Sequence, residues 1–240
     1  MGKNKSAWLI VAETNLHVGN ENINNFGVID QAIQRNAVTE IPCIHSSSLK
    51  GAIKEYIAEC WNKKQGQAQP VSCKEVFGSE KGAKDEETQR GQAVFFDAEL
   101  LALPIQETES NYYFKLAYDF EKGIQQFAAK LKCFGMQVDA SNILKKICKA
   151  TGIVEGQKKP VNNFKELCND EHLPIIARNK LDNGESINLW YEQVLPSKSV
   201  LGTVIECDEG LVNALNEKIV QIGANATVGY GYCTFVKLND

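Results

Sequence analysis

The sequence has no apolar run long enough to cross a membrane; even residues 93–105 are interrupted by Asp97 and Glu99. It also lacks a CxxC pair and any close pair of histidines, although it holds 8 cysteines, at 43, 60, 73, 133, 148, 168, 207 and 233. Those spacings exclude the usual zinc-ligand patterns. Apolar neighbours, such as Trp61 after Cys60 and Ile147 before Cys148, instead predict buried free thiols in a reducing compartment. Residues 1–14 (MGKNKSAWLIVAET) carry lysines but no signal-peptide core with a cleavage site, so a cytoplasmic location is expected, with no membrane partner. Positive charge is also scarce, since 26 Lys and Arg against 30 Asp and Glu give a formal net charge of −4. A surface that attracts nucleic acid everywhere is thereby excluded, while a local basic groove is not.

What is present is ordinary globular material. A chain of 240 residues, 43% hydrophobic and 23% charged, buries a proper core and is not disordered. Bulky and β-branched runs predict strands over residues 6–14, 92–105, 112–116, 173–177, 187–191, 199–207 and 228–238. Amphipathic spacing predicts helices over 49–61, 121–134, 140–150 and 209–222. Polar stretches at 65–91 and 152–170 read as surface insertions. The Asp182-Asn183-Gly184 turn, between Arg178 and Lys180 on one side and Ser186 on the other, predicts a basic, protruding hairpin. Without the insertions, the order is strand, helix, strand, strand, helix, strand. That is an α+β fold with a ferredoxin-like or RRM-like core, its helices on one face and the other face open to a ligand.

The stretch from His17 to Lys54 carries the chemistry. Ser46, Ser47 and Ser48 precede a helix whose pattern starts at Leu49, and free N–H groups at a helix start favour an anion. Lys50 and Lys54 lie on that helix, and Arg35 lies just ahead, so these residues form a candidate grip for an RNA phosphate. The bland alternative is a normal capped helix with solvated lysines. Asp30 lies just ahead of the grip, and a loop-capping aspartate is its alternative. His17 is read as RNA-facing, with a satisfied structural histidine as the alternative. Glu192 is read first as a solvent-facing strand carboxylate and second as a helper of Asp30. Residues 223–231 (GANATVGYG) lack the Lys-Ser/Thr ending of a phosphate-binding P-loop and lead from helix to strand, the wrong order. Gly223, Asn225, Thr227, Gly229 and Gly231 are instead expected to turn N–H groups toward an RNA backbone, or to form a plain turn.

Five segments occur in register: residues 27–35 (GVIDQAIQR), 48–51 (SLKG), 76–78 (VFG), 189–192 (LWYE) with Leu195-Pro196, and 222–231 (IGANATVGYG). Together they resemble the backbone subunit of the Cmr-type (type III-B) CRISPR effector complex, of the RAMP superfamily. The resemblance implies one domain over 1–240, with an RRM-like palm from about 6–63, 92–116 and 198–238. Inserted segments would be 64–91 and 117–197, the latter holding a thumb hairpin near 173–191. It implies CRISPR guide RNA, complementary target RNA, further copies in a filament and other effector subunits as partners. It also implies that Asp30 is catalytic, acting with a divalent metal (Mg or Mn) that it helps to hold, in an endoribonuclease cutting the target at regular intervals. A scaffold subunit that binds RNA without cutting, and a guide-processing nuclease of the same superfamily, are the alternatives.

Overall fold

The computed structural model describes residues 4–20, 29–62, 72–79 and 88–239. Gly27, Val28 and most of the 64–91 insertion therefore lie outside the described residues. In chain order the elements begin with β1 (Asn4–Ala12), β2 (Cys43–Ile44), α1 (Ser46–Asn62) and α2 (Cys73–Phe77). Then come β3 (Val94–Phe95), β4 (Ala98–Gln106), β5 (Phe114–Tyr118), a π-helical turn (Phe120–Gln125), α3 (Gln126–Cys133) and α4 (Ala140–Thr151). The chain continues through β6 (Lys158–Pro160), α5 (Phe164–Leu167), β7 (Ile175–Asp182) and β8 (Glu185–Gln193). It closes with β9 (Val200–Cys207), α6 (Glu209–Leu215), β10 (Ile219–Gln221) and β11 (Tyr232–Lys237).

The main sheet runs β10-β11-β1-β9-β4-β5-β6, with β11, β1, β9 and β4 antiparallel to their neighbours. Its centre is β1, whose residues from Ala7 to Ala12 are all wholly buried. Alternation along the strand sends Trp8, Ile10 and Ala12 into one apolar cluster and Ala7, Leu9 and Val11 into another. The first cluster includes Leu49, Ile53 and Ile57 of α1 and Leu211 and Leu215 of α6. Phe127 and Leu131 of α3 and Ile143 and Ile147 of α4 belong to the second. Both faces of the sheet are therefore covered, which corrects the expectation of an open ligand face. Helices α3 and α4 close it, and Gly202 makes the fit possible: a Cβ there would lie 2.6 Å from Leu101 Cδ1 and 2.7 Å from Phe127 Cζ.

Two predicted helix boundaries move. Helix α1 starts at Ser46 because its first N–H groups find partners in the chain. Asp97 Oδ1 accepts from Ser46 N at 2.7 Å, and Gln34 Oε1 accepts from His45 N at 2.8 Å. Helix α6 stops at Leu215 rather than running to 222. Glu217 takes a positive φ of 57°, and its N–H donates to Phe235 O, so the apolar residues that follow continue as β10 against β11.

The β7–β8 hairpin is a separate two-stranded sheet turning at Asn183 and Gly184, with φ values of 49° and 88°. Positive φ at both positions suits the Asn-Gly pair and the twist of the two strands. Every residue from 179 to 189 is exposed, so the hairpin does protrude. It is not basic, however: its two cations, Arg178 and Lys180, are outnumbered by Asp182, Glu185 and Glu192, and Leu181, Ile187 and Leu189 are more than half exposed.

Candidate functional site at the hairpin base

The base of the hairpin links several predicted site residues, Asp30, Arg178, Asn225, His17 and Arg35, to residues 191–193. Asp30 lies exposed beside β8. The amides of Asp30 and Gln31 donate to Tyr191 O, each at 3.1 Å, and Tyr191 N donates back to Asp30 Oδ2 at 2.8 Å. The carboxylate is thus fixed by one oxygen, leaving Oδ1 without a protein donor among the described residues.

Glu192, the next residue, is buried rather than solvent-facing. Its side chain meets three donors: Asn225 Nδ2 at 2.7 Å, Trp190 Nε1 at 2.7 Å and Arg178 Nε at 3.2 Å. Arg178 also lies over the Tyr230 ring, 5.0 Å from its centroid. Its guanidinium is therefore committed to Glu192 and Tyr230, whereas Lys180, further out, is exposed. Buried carboxylates require such complete pairing.

Arg35 does not present a free cation. Nη1 donates to Cys168 O at 2.7 Å and Glu40 O at 2.8 Å, and Nη2 donates to Asp170 Oδ1 at 2.9 Å. The residue clamps its own loop to the 168–170 segment, so its guanidinium is occupied rather than open to a phosphate as expected. Burial pushes the neighbouring Cys168 thiol up to about 12, against a smaller downward pull from Arg35.

His17 is buried, not RNA-facing. Its Nδ1 lies 2.7 Å from Gln193 O and must be the donor, because a carbonyl oxygen only accepts. Its own carbonyl accepts from Ala224 N at 2.9 Å, and a Cβ at Gly223 would sit 2.2 Å from that oxygen. This close approach is why glycine stands at 223. Further along the loop, the amides of Val228 and Tyr230 donate to Asn225 O, Gly229 N donates to Ala226 O and Gly231 N donates to Asn15 O. Of the five residues expected to turn N–H groups toward RNA, Gly229 and Gly231 thus spend theirs on the protein itself, Gly231 is buried and Gly223 is exposed. Thr227 and Gly229 remain at the surface.

At the start of α1, Asp97 already occupies the first N–H group, so Ser46 is not an open anion donor. Ser48 Oγ accepts from Gln34 Nε2 at 3.0 Å, and Ser47 is exposed. Lys50 and Lys54 lie half-buried on the same helix. Among the described residues, no three of His, Cys, Asp and Glu gather as a metal site. With Glu192 sealed and His17 buried, Asp30 Oδ1 is the open carboxylate oxygen that the described residues at the hairpin base offer a metal ion. Sequence reading missed Gln34, Asp170 and Gln193; an uncharged amide after an LWYE run gives no local sign that it is a buried hub.

No helix of the described residues is long and apolar enough to cross a membrane. The profile of the RAMP superfamily matches residues 9–234. The chain is 24% identical to the CRISPR system Cmr endoribonuclease Cmr4 of Pyrococcus furiosus, across 86% of this chain and 87% of that protein. Its fold is similar to a chain in the cryo-EM structure of the type III-B Cmr-beta bound to cognate target RNA, with a TM-score of 0.69, 19% identity and 98% and 97% of the two chains covered. Oligomeric Cmr4 from Pyrococcus furiosus, a crystal structure, matches with a TM-score of 0.67 at 19% identity over 100% and 99%.

Proposed function

Because the chain belongs to the RAMP superfamily, we propose that it is a guide RNA-binding backbone subunit of a type III CRISPR effector complex and cuts complementary target RNA beside Asp30. The observation that carries this reading is the placement of Asp30: an exposed carboxylate, its backbone and one oxygen tied to the root of a projecting hairpin. A carboxylate there meets RNA at the point where a projecting hairpin would interrupt a duplex. The relative named an endoribonuclease and the similar Cmr-beta chain bound to target RNA support the same assignment. The β11-β1-β9-β4 order, with α1 and α6 on one side, supports reading the palm as ferredoxin-like and β7–β8 as the thumb.

Chemically, the target's 2′-OH attacks the adjacent phosphorus, the O2′–P bond forms and the P–O5′ bond breaks. A backbone kinked by the hairpin brings attacking and leaving oxygens into line, which supplies much of the rate. Asp30 accepts the 2′-OH proton, and the leaving oxygen takes a proton from water. A divalent ion, if bound, would be held by Asp30 and would screen the phosphate charge. Lys50, Lys54, Ser47, Thr227 and Lys180 are the surface residues we assign to RNA backbone, in a cytoplasmic complex with further copies and other effector subunits.

One observation favours a second reading, a scaffold that holds RNA without cutting: among the described residues, His17 and Glu192, the candidate helpers of Asp30, are both buried. Reconstituting the complex with guide RNA and a labelled complementary RNA separates the two. Evenly spaced products support the nuclease, and intact target on a bound guide supports the scaffold.

A further inference from the structure

Gln193 carries no role in the reaction just described, yet it is wholly buried and joins more segments than any residue around Asp30. Its backbone N–H donates to Gln31 O at 2.9 Å, and its carbonyl accepts from His17 Nδ1 at 2.7 Å. Its side-chain Nε2 donates to Asp170 Oδ1 at 2.9 Å, the same oxygen that holds Arg35. Oε1 takes longer contacts from Arg35 Nη2 at 3.4 Å and Ile33 N at 3.5 Å.

We propose that Gln193 is a positioning residue for Asp30. The inference rests on Asp30 being the group that acts on RNA. Asp30 is exposed and reaches the body of the protein through Tyr191, two residues before Gln193 on the same strand. Hydrogen bonds in contact with water open readily, whereas a buried, fully satisfied polar network resists opening because each broken bond strands a desolvated group. Gln193 supplies that resistance on the inner face of the strand and fixes residues 31 and 33, just after Asp30. The residue type is dictated: Asp170 needs a donor and Arg35 an acceptor, and one amide offers both. Glutamate would place a carboxylate against Asp170, and an apolar side chain would leave both partners short.

Two readouts test this. In the isolated chain, hydrogen exchange at the Tyr191 amide reports the bond to Asp30 directly. In the reconstituted complex, single-turnover cutting of complementary RNA reports the reaction. Gln193→Met, which keeps the volume of the side chain, is expected to speed Tyr191 exchange and slow cutting by about tenfold or more, with guide binding retained. Asp170→Ala removes the shared partner from a side chain that is 60% exposed, opening no cavity, and is expected to act in the same direction. Wild-type cutting by both variants overturns the proposal, as does slowed cutting with unchanged Tyr191 exchange. Asp30→Asn, run alongside, keeps the two claims apart. Full cutting by Asp30→Asn overturns the nuclease reading, whereas its failure to cut, beside wild-type cutting by Gln193→Met, overturns the positioning role alone.

Discussion

Tyr191 and Asp30 hold each other by reciprocal hydrogen bonds: Tyr191 N donates to Asp30 Oδ2 at 2.8 Å, and Asp30 N donates to Tyr191 O at 3.1 Å. The pair spans 161 residues of sequence. It makes the hairpin and the carboxylate one unit, so a hairpin lodged in an RNA duplex would bring Asp30 to a fixed phosphate.

The hairpin should be removable without loss of the fold. Residues 179–186 are all exposed, and the side-chain bond from Ser186 Oγ to Asn179 Oδ1 stays within the deleted piece. Their deletion is expected to change stability by less than about 1 kcal/mol, to spare guide binding and to abolish spaced cutting. Normal spaced cutting by the deletion variant would contradict the thumb assignment.

Glu192 should matter for stability more than any surface acid. Replacing it with alanine leaves Arg178, Trp190 and Asn225 without their shared acceptor. The expected loss is about 3 kcal/mol, a fall of roughly 6–12 °C in Tm for a chain of this size. Calorimetry of Glu192→Ala against Glu192→Gln checks it, with the amide variant milder because it keeps one acceptor.

Two glycines of the same loop should differ. A Cβ at Gly231 would lie 2.0 Å from Ile222 O with φ at 78°, while Gly229, φ 83°, has open space. Gly229→Ala is expected to cost about 1 kcal/mol, the left-handed backbone penalty alone. Gly231→Ala is expected to cost more than about 3 kcal/mol, because backbone must move as well. Denaturant titrations of the two variants give the comparison.

Thiol labelling should follow burial. Burial pushes Cys43, Cys168 and Cys207 up to about 12, and Cys133 is exposed. The thiolate is the reactive form, so near pH 8 an alkylating reagent should modify Cys133 first. Cys43, Cys168 and Cys207 should react only on unfolding, as mass spectrometry of the labelled peptides would show.

Much of this architecture was written locally. Strand β1, helix α1, the Asn-Gly hairpin and the glycine-rich loop all announce themselves through periodicity or turn chemistry within a few residues. What stayed hidden depends on distant partners. Residues 219–221 fit a helix by spacing, and only pairing with β11 makes them a strand. Arg35 reads as a phosphate ligand until Cys168 and Asp170, more than 130 residues away, occupy its guanidinium. Glu192 looked solvent-facing because strand alternation gives a side but not what lies there; Asn225 and Arg178 fill it. Asp30 was legible as a position through a family resemblance, while its tie to Tyr191 was not.

The central claim is that Asp30 makes this subunit a nuclease. Its most direct test is single-turnover cutting of complementary RNA by the reconstituted complex, comparing wild type with Asp30→Asn at matched guide occupancy. The account predicts unchanged guide and target binding with cutting slowed by at least about 100-fold, the scale of a lost general base. Equal rates at the same spaced positions would contradict it.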